Sequence, residues 1–250
     1  MDLELTGRVQ IITGAASGIG KRTAEYLADE GCKLVLADFN EDALGEFADE
    51  LSARDIAVAT ERVDVRDYAQ CEALADSAVR HFGRIDGLVN SAGIGGVPDF
   101  FAQSSPEDWR DTVEINLIGV MNCSRAVAER MIDQGSGKIV SLASEAGKAN
   151  EKRMVVYGAT KGGVISFTRG LALELGRYHI NVNCVCPGVT KTPMTAYIDG
   201  EMEEASARFY PLGRLGTTDD IAPMITFLLS DRTSWVTGQA ISISGGFGRS

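Results

Sequence analysis

A chain of 250 residues, 44% hydrophobic and 24% charged, is long enough for a sizeable core and has the balance of a water-soluble globular protein. Its net charge of -11 repels phosphate backbones, which argues against nucleic-acid partners, and no apolar run reaches the roughly 18 residues a membrane span needs. The opening MDLELTGR is acidic and lacks the apolar core of a signal peptide, so a cytoplasmic protein without membrane association is expected.

Apolar strand-like runs alternate with helical patterns in chain order. Strands are expected at 8–13 (RVQIIT), 33–37 (KLVLA), 56–63, 86–90 (DGLVN), 137–142 (GKIVSL), 180–186 (INVNCVC) and 239–243 (QAISI). Helices are expected over 18–30, 41–54, 67–82, 106–131, 156–178 and 218–230. Start signals support several of them: Asn40 before Glu41 and Asp42, Ser105 before Pro106, Glu107 and Asp108, and Thr218 before Asp219 and Asp220. Most strand segments are continuously apolar, as when both faces are covered. No repeat, low-complexity block or linker interrupts the alternation. It predicts one α/β domain over 1–250, built on a doubly wound parallel sheet of about seven strands flanked by helices.

The first strand runs into Thr13-Gly14-Ala15-Ala16-Ser17-Gly18-Ile19-Gly20, a glycine turn between strand and helix. Gly14 permits the tight turn, Gly18 lets a pyrophosphate approach the backbone, and Gly20 allows close helix-sheet packing, while the helix N-terminus supplies N–H donors to the anion. Asp38 ends the second strand, eighteen residues after Gly20. A carboxylate there accepts hydrogen bonds from ribose hydroxyls and repels a 2′-phosphate, and no basic residue stands at Ser17 or Phe39 to offset it, which favours NAD over NADP. Asp64-Val65 and Asn90-Ser91-Ala92-Gly93 end the third and fourth strands, at the edge where open α/β sheets bind ligands.

Tyr157 and Lys161 stand four residues apart in a helical run, so their side chains share one face about a turn apart. Ser144 follows the strand at 137–142, thirteen residues before Tyr157. A phenol, an ammonium and a hydroxyl therefore converge at a strand end beside a helix. A serine hydrolase is a poor fit, because neither His81 nor His179 stands near Ser144 and there is no G-x-S-x-G. The two histidines make a zinc site improbable. Cys32, Cys71, Cys123, Cys184 and Cys186 form no C-x-x-C and read as reduced, buried thiols.

Taken together, these residues make the chain similar to the short-chain dehydrogenase/reductase family over almost its whole length. The likeness rests on T-G-x-x-x-G-I-G at 13–20, Asp64-Val65, Asn116, Ser144, Tyr157 with Lys161, Pro187-Gly188 followed by Thr192, and Thr237-Gly238 before Gly245-Gly246. Two positions depart from the family pattern: Ser91 in the N-N-A-G turn and Ser244 in the terminal V-D-G-G. The resemblance implies a single-domain Rossmann fold and hydride transfer between a nicotinamide and a secondary alcohol or ketone. Tyr157 is then the general acid/base, Lys161 lowers its pKa and holds the nicotinamide ribose, Ser144 steadies the substrate oxygen, and Asn116 fixes a proton-relaying water. The implied cofactor-binding set is Gly14, Ser17, Gly18, Ile19, Gly20, Asp38, Asp64, Val65, Asn90, Ala92, Gly93, Tyr157, Lys161, Pro187, Gly188, Val189 and Thr192. The resemblance also implies a homodimer or homotetramer, since similar proteins pair through the helices corresponding to 106–131 and 156–178.

Residues 189–214 are long for a connection and carry Met194, Tyr197, Met202, Phe209 and Tyr210, which suits a substrate lid, or alternatively an oligomer contact. Asp199, Glu201, Glu203 and Glu204 read as its solvated face. In related enzymes the loop that carries Lys148, Lys152 and Arg153 borders the pocket, so these three stay open as anion ligands, and Asn150 is expected to line it. The alternatives are an NADP-dependent 3-oxoacyl reductase or hydroxyacyl-CoA dehydrogenase of the same family, and, from another class, a dinucleotide-sensing module without catalysis.

Overall fold

The computed structural model describes residues 2–149 and 151–248. The strands are β1 (Val9–Thr13), β2 (Lys33–Asp38), β3 (Val58–Arg62), β4 (Gly87–Asn90), β5 (Gly137–Leu142), β6 (Ile180–Pro187) and β7 (Ala240–Ile243). The α-helices are α1 (Gly18–Asp29), α2 (Glu41–Ser52), α3 (Tyr68–Phe82), α4 (Pro106–Val113), α5 (Gly119–Gln134), α6 (Ala146–Ala149), α7 (Val155–Leu175), α8 (Gly200–Ala207) and α9 (Thr218–Leu228). All strand pairs are parallel, in the order β3-β2-β1-β4-β5-β6-β7. The chain reverses its direction of winding between β1 and β4, and the crevice beyond their C-terminal ends is where such sheets bind ligands.

Alternation along each central strand feeds two cores. Val9 and Ile11 of β1, Val35 of β2 and Ile139 of β5 face one layer with Leu74 of α3 and Met131 of α5. Ile12, Leu34, Leu36 and Val140 face the other, with Leu27 of α1, Phe47 of α2 and Ile225 of α9. Strands β1, β4 and β5 are buried throughout, while the edge strands β3 and β7 are not, which accounts for the continuous apolar runs of the centre. All five cysteines are buried and free.

Asn40 caps α2 by accepting from the Ala43 amide, and Ser105 caps α4 by accepting from Asp108, as their sequences predict. The expected cap at Thr218 is corrected to Thr217, whose amide and hydroxyl both donate to Asp220 Oδ2, at 2.7 and 2.9 Å. The expected helix over 106–131 is divided: residues Glu114–Ile118 form a π-helical turn between α4 and α5. The short helices α6 and α8 were not predicted, being too brief to show a helical period.

The register aligns the C-terminal strand ends. Thr13 pairs with Asn90, and Asn90 with Ser141, so Gly14, Ser91 and the segment leading to Ser144 leave the sheet side by side. Helix α7 buries Thr160, Lys161, Val164, Ile165, Thr168, Ala172 and Leu175, an i, i+3, i+4 stripe. Lys161 lies on that stripe, so its place in the helix sends an ammonium into the interior. Gly147 of α6 packs directly on α7: a Cβ there would stand 2.6 Å from the Lys161 carbonyl carbon and 2.7 Å from the Gly162 nitrogen. Backbone cannot yield as a flexible side chain does. Gly147→Ala is therefore expected to cost about 1–3 kcal/mol in urea unfolding. Gly45→Ala, in α2 where nothing lies within 4 Å, is expected to be neutral or to gain up to roughly 1 kcal/mol.

Candidate active site

The glycine turn is shaped by contacts that exclude side chains. Gly14 has φ +64°, and a Cβ on it would stand 2.8 Å from the Ala92 backbone. A Cβ on Gly20 would stand 2.1 Å from the Gly14 carbonyl oxygen. A Cβ on Gly18, which has φ +55°, would stand 3.5 Å from Thr192 Cγ2, so the first and sixth strand ends lie close here. Ser17 is the N-cap of α1 but its side chain makes no capping hydrogen bond, and Ile19 packs against the second core. Thr13 was not singled out as a site residue. Its Oγ1 accepts from the Ser91 and Ala92 amides at 3.2 and 3.3 Å, tying the turn after β1 to the turn after β4.

At the far end of the crevice, Asp38 Oδ2 accepts from the Ala16 amide at 2.9 Å and Oδ1 from the Asn40 amide at 3.0 Å. Beside it stands a cation that sequence spacing concealed. Arg62 is the register partner of Asp38 in β3, and its guanidinium lies 4.7 Å from the Phe39 ring centroid. Arg66 grips the Asp64 carboxylate with two nitrogens and holds it below its usual pKa. Val65 is buried against Gly119, and its carbonyl accepts from Asn122. The Asn90 side chain points into the core, donating to Ser124 and Ser141 at 3.1 Å each, so only its backbone borders the crevice.

Tyr157, Lys161, Ser144 and Asn116 come together at the crevice's centre. Asn116 sits in the π-helical turn, fully buried, and its amide exchanges two 2.8 Å hydrogen bonds with the Ile94 backbone. A Cβ on Gly93 would stand 3.1 Å from Asn116 Oδ1 and 3.6 Å from Lys161 Nζ, so Gly93 joins these two groups. Lys161 Nζ donates to the Leu142 carbonyl at 2.8 Å and lies 5.6 Å from the Tyr157 ring centroid. Ser144 Oγ accepts from the Ala146 amide at 3.1 Å. Loss of water around the Tyr157 phenol raises its pKa; the neighbouring Ser144 hydroxyl opposes the rise, while Glu151 and Tyr197 add to it.

On the substrate side, Val189 donates its amide to the Tyr210 hydroxyl at 2.8 Å, and the Gly188 amide bonds the Ile243 carbonyl. The Thr192 amide donates to Thr195 Oγ1. Lys148 is committed elsewhere: its Nζ donates to the Ala240 carbonyl and Ser242 hydroxyl of β7, which removes it from the candidates for a substrate anion. Arg153 lines the same cavity as Tyr157, and Asn150 lies outside the described residues. No group of three or more potential metal ligands occurs among the described residues, and none of their helices is long and apolar enough to cross a membrane.

Residues 14–248 match the family model described as enoyl-(acyl carrier protein) reductase. The chain is 38% identical to 3-oxoacyl-(acyl-carrier-protein) reductase FabG of Thermotoga maritima, covering 98% of this chain and 99% of that one. The chain belongs to the short-chain dehydrogenase/reductase family. It is 38% identical to levodione reductase of Leifsonia aquatica, over 96% of this chain and 94% of that one. The solved structure of an actinorhodin polyketide ketoreductase variant with NADPH superposes with a TM-score of 0.94 at 34% identity, covering 98% of each chain.

Short-chain dehydrogenases/reductases bind a nicotinamide cofactor. The residues here fit one: the turn at 14–20 is a cradle that any Cβ at Gly14 or Gly20 would fill, and the α1 N-terminus has no side-chain cap to occupy its amides. Burial depresses the Lys161 pKa from 10.5 to about 8. Between those values the unfolded chain binds a proton that the folded chain lacks, so Lys161 makes stability rise with pH across this window and costs stability below it. Lys161→Met is expected to remove that part of the slope, measured by urea unfolding of the dinucleotide-free protein at pH about 7.5 and about 9.5. A variant with an unaltered slope would show that Lys161 titrates as if exposed.

Proposed function

We propose that this oxidoreductase is NAD-dependent and transfers a hydride between nicotinamide and a secondary alcohol or ketone, with Tyr157 as the general acid/base. One observation carries the reading: Tyr157, Ser144 and Lys161 meet in a single corner of the crevice, with Asn116 joined to Lys161 through Gly93. The bound nicotinamide supplies or takes up the hydride. Burial keeps the Tyr157 phenol protonated, which suits a donor to the oxygen of a ketone. In alcohol oxidation the phenol must instead give up its proton, and Lys161, still charged at neutral pH, stabilises the anion. Ser144 accepts the Ala146 amide, and its O–H, which faces the Tyr157 phenol, would donate to a substrate oxygen bound between the two. Asn116, with both polar atoms engaged by Ile94, holds the 93–94 segment against Lys161, where a proton relay would pass.

Asp38 supports NAD. Its two oxygens are pinned by the Ala16 and Asn40 amides, which keeps an anion beside the glycine turn where a 2′-phosphate would have to sit. The dinucleotide would otherwise be held by Gly14, Ser17, Gly18, Ile19, Gly20, Asp64, Val65, Ala92 and Gly93, the backbone of Asn90, and Pro187, Gly188, Val189 and Thr192. The second reading, an NADP-dependent 3-oxoacyl reductase, is favoured by Arg62. Arg62 pairs in register with Asp38, its guanidinium lies over the Phe39 ring and makes no ion pair among the described residues, and the Thermotoga relative is named for this activity. A non-catalytic sensing module is disfavoured by the presence of all four catalytic side chains.

The segment 189–214 is read as the substrate lid. Tyr210 and Leu215 anchor it, whereas α8 buries no residue and Met194, Tyr197, Met202 and Phe209 are exposed. Exposed Leu173 on α7 supports association through the long helices into a homodimer or homotetramer, in the cytoplasm. Tyr157→Phe is expected to lower kcat about 10²–10⁴-fold in a ketone-reduction assay; unchanged turnover would remove Tyr157 from the mechanism. Initial rates should favour NADH over NADPH, and Asp38→Asn should shift that ratio toward NADPH by roughly tenfold or more. A wild-type preference for NADPH would instead establish the second reading.

A further inference from the structure

An open cleft beside Tyr157 is lined by Gly95, Phe101, Asp108, Trp109 and Arg153. One wall is apolar, where Phe101 and Trp109 stack at 4.7 Å and 12° and Val156 adds to the lining. Arg153 and Tyr157 line the same cavity. The Arg153 guanidinium lies 5.5 Å from the Phe100 ring centroid, and Lys152 Nζ lies 5.3 Å from that same centroid. Two cations thus share one aromatic ring, and neither forms an ion pair among the described residues. Arg153 also has φ +70°, a left-handed conformation that costs a residue with a Cβ about 1–2 kcal/mol. Glycine would make this turn more cheaply, so the strained position holds a long cationic side chain at the cavity rather than serving the turn.

The acids nearby set limits on what these cations receive. Asp99 accepts from the Phe100 amide at 2.7 Å. Asp108 accepts from the Ser105 hydroxyl at 3.0 Å in the first turn of α4, where a carboxylate is favoured. Both line the cavity, and Glu151 bears on Tyr157 from the next turn. A polyanion would be repelled by this set, whereas a single carboxylate facing Arg153 would not.

The geometry points to Arg153 as a specificity residue that binds a substrate carboxylate, so that the substrate is a short oxo acid, or the matching hydroxy acid, with an apolar body. This rests on the reading of Tyr157 as the group that faces the reacting carbonyl. Arg153 and Tyr157 line one cleft, so one small molecule would carry both the carboxylate and the reacting carbonyl.

The test uses the full-length protein with 4-oxopentanoate and its methyl ester, followed by NADH and NADPH oxidation. Wild type should prefer the acid. Arg153→Gln should raise KM for the acid at least about tenfold relative to the ester, with kcat for the acid changed far less, and Arg153→Lys should restore part of the preference. Equal effects on acid and ester, or none, would overturn the proposal. A second arm needs no turnover. In a Trp235→Phe background, which removes the other, fully exposed indole, Trp109 fluorescence reports binding of 4-oxopentanoate. Saturable binding that weakens at least about tenfold in Arg153→Gly, a variant suited to the positive φ, supports the proposal. No binding by wild type, or unchanged binding in the variant, overturns it. Turnover of neither compound with either nucleotide would count against the proposed reaction alone, and the binding arm then decides on Arg153.

Discussion

Lys161 donating to the Leu142 carbonyl is the contact on which the site's assembly depends. It runs from the buried stripe of α7 to the end of β5, and it places a charge where water cannot reach. A buried ammonium is tolerable only if its surroundings supply acceptors and space. Gly93 and Gly147 provide the space: one lets the Lys161 side chain and Asn116 approach the turn after β4, the other lets α6 rest on the helix backbone. The π-helical turn serves the same arrangement, since it holds Asn116 where both ends of its amide meet Ile94. Such turns recur at functional sites because the extra residue redirects a side chain without ending the helix.

The same dry environment acts on both halves of the tyrosine–lysine pair, in opposite directions. It moves the phenol up and the ammonium down, favouring the neutral form of each. The pair is therefore poised: a positive charge brought close to the phenol shifts its balance more strongly here than in water, because little solvent screens it. Glu151, itself shifted up by burial, and Tyr197 of the 189–214 segment push the phenol the same way as burial does. Movement of that segment would accordingly be felt electrostatically at Tyr157.

The two ends of the crevice show how sheet register overrides nearness in sequence. Asp38 and Arg62 are far apart along the chain, yet parallel pairing sets them in register, an acid and a base at one end of the crevice. Lys148 stands near Ser144 in sequence but spends its charge on β7, more than ninety residues away. Arg153, five residues further on, keeps its charge for the cavity. Three basic residues that look alike in a sequence thus meet different surroundings: Lys148 bonds β7, while the guanidinium groups of Arg62 and Arg153 lie over aromatic rings.

What the sequence by itself determined was everything that depends on local period and backbone freedom. Parallel strands covered on both faces leave continuous apolar runs, amphipathic helices leave stripes, and a tight turn under a phosphate site leaves glycines, so the order of elements and the turn at 13–20 were legible. So was the sharing of a helical face by Tyr157 and Lys161, which follows from four-residue spacing alone. Tertiary structure decided which partners those groups meet: the Leu142 carbonyl for Lys161, Ile94 for Asn116, Ser124 and Ser141 for Asn90, and Arg62 beside Asp38. Those pairings bring together residues from different strands and loops. Their distances are set by strand register and by crossovers of varying length, which no periodicity within a single segment encodes.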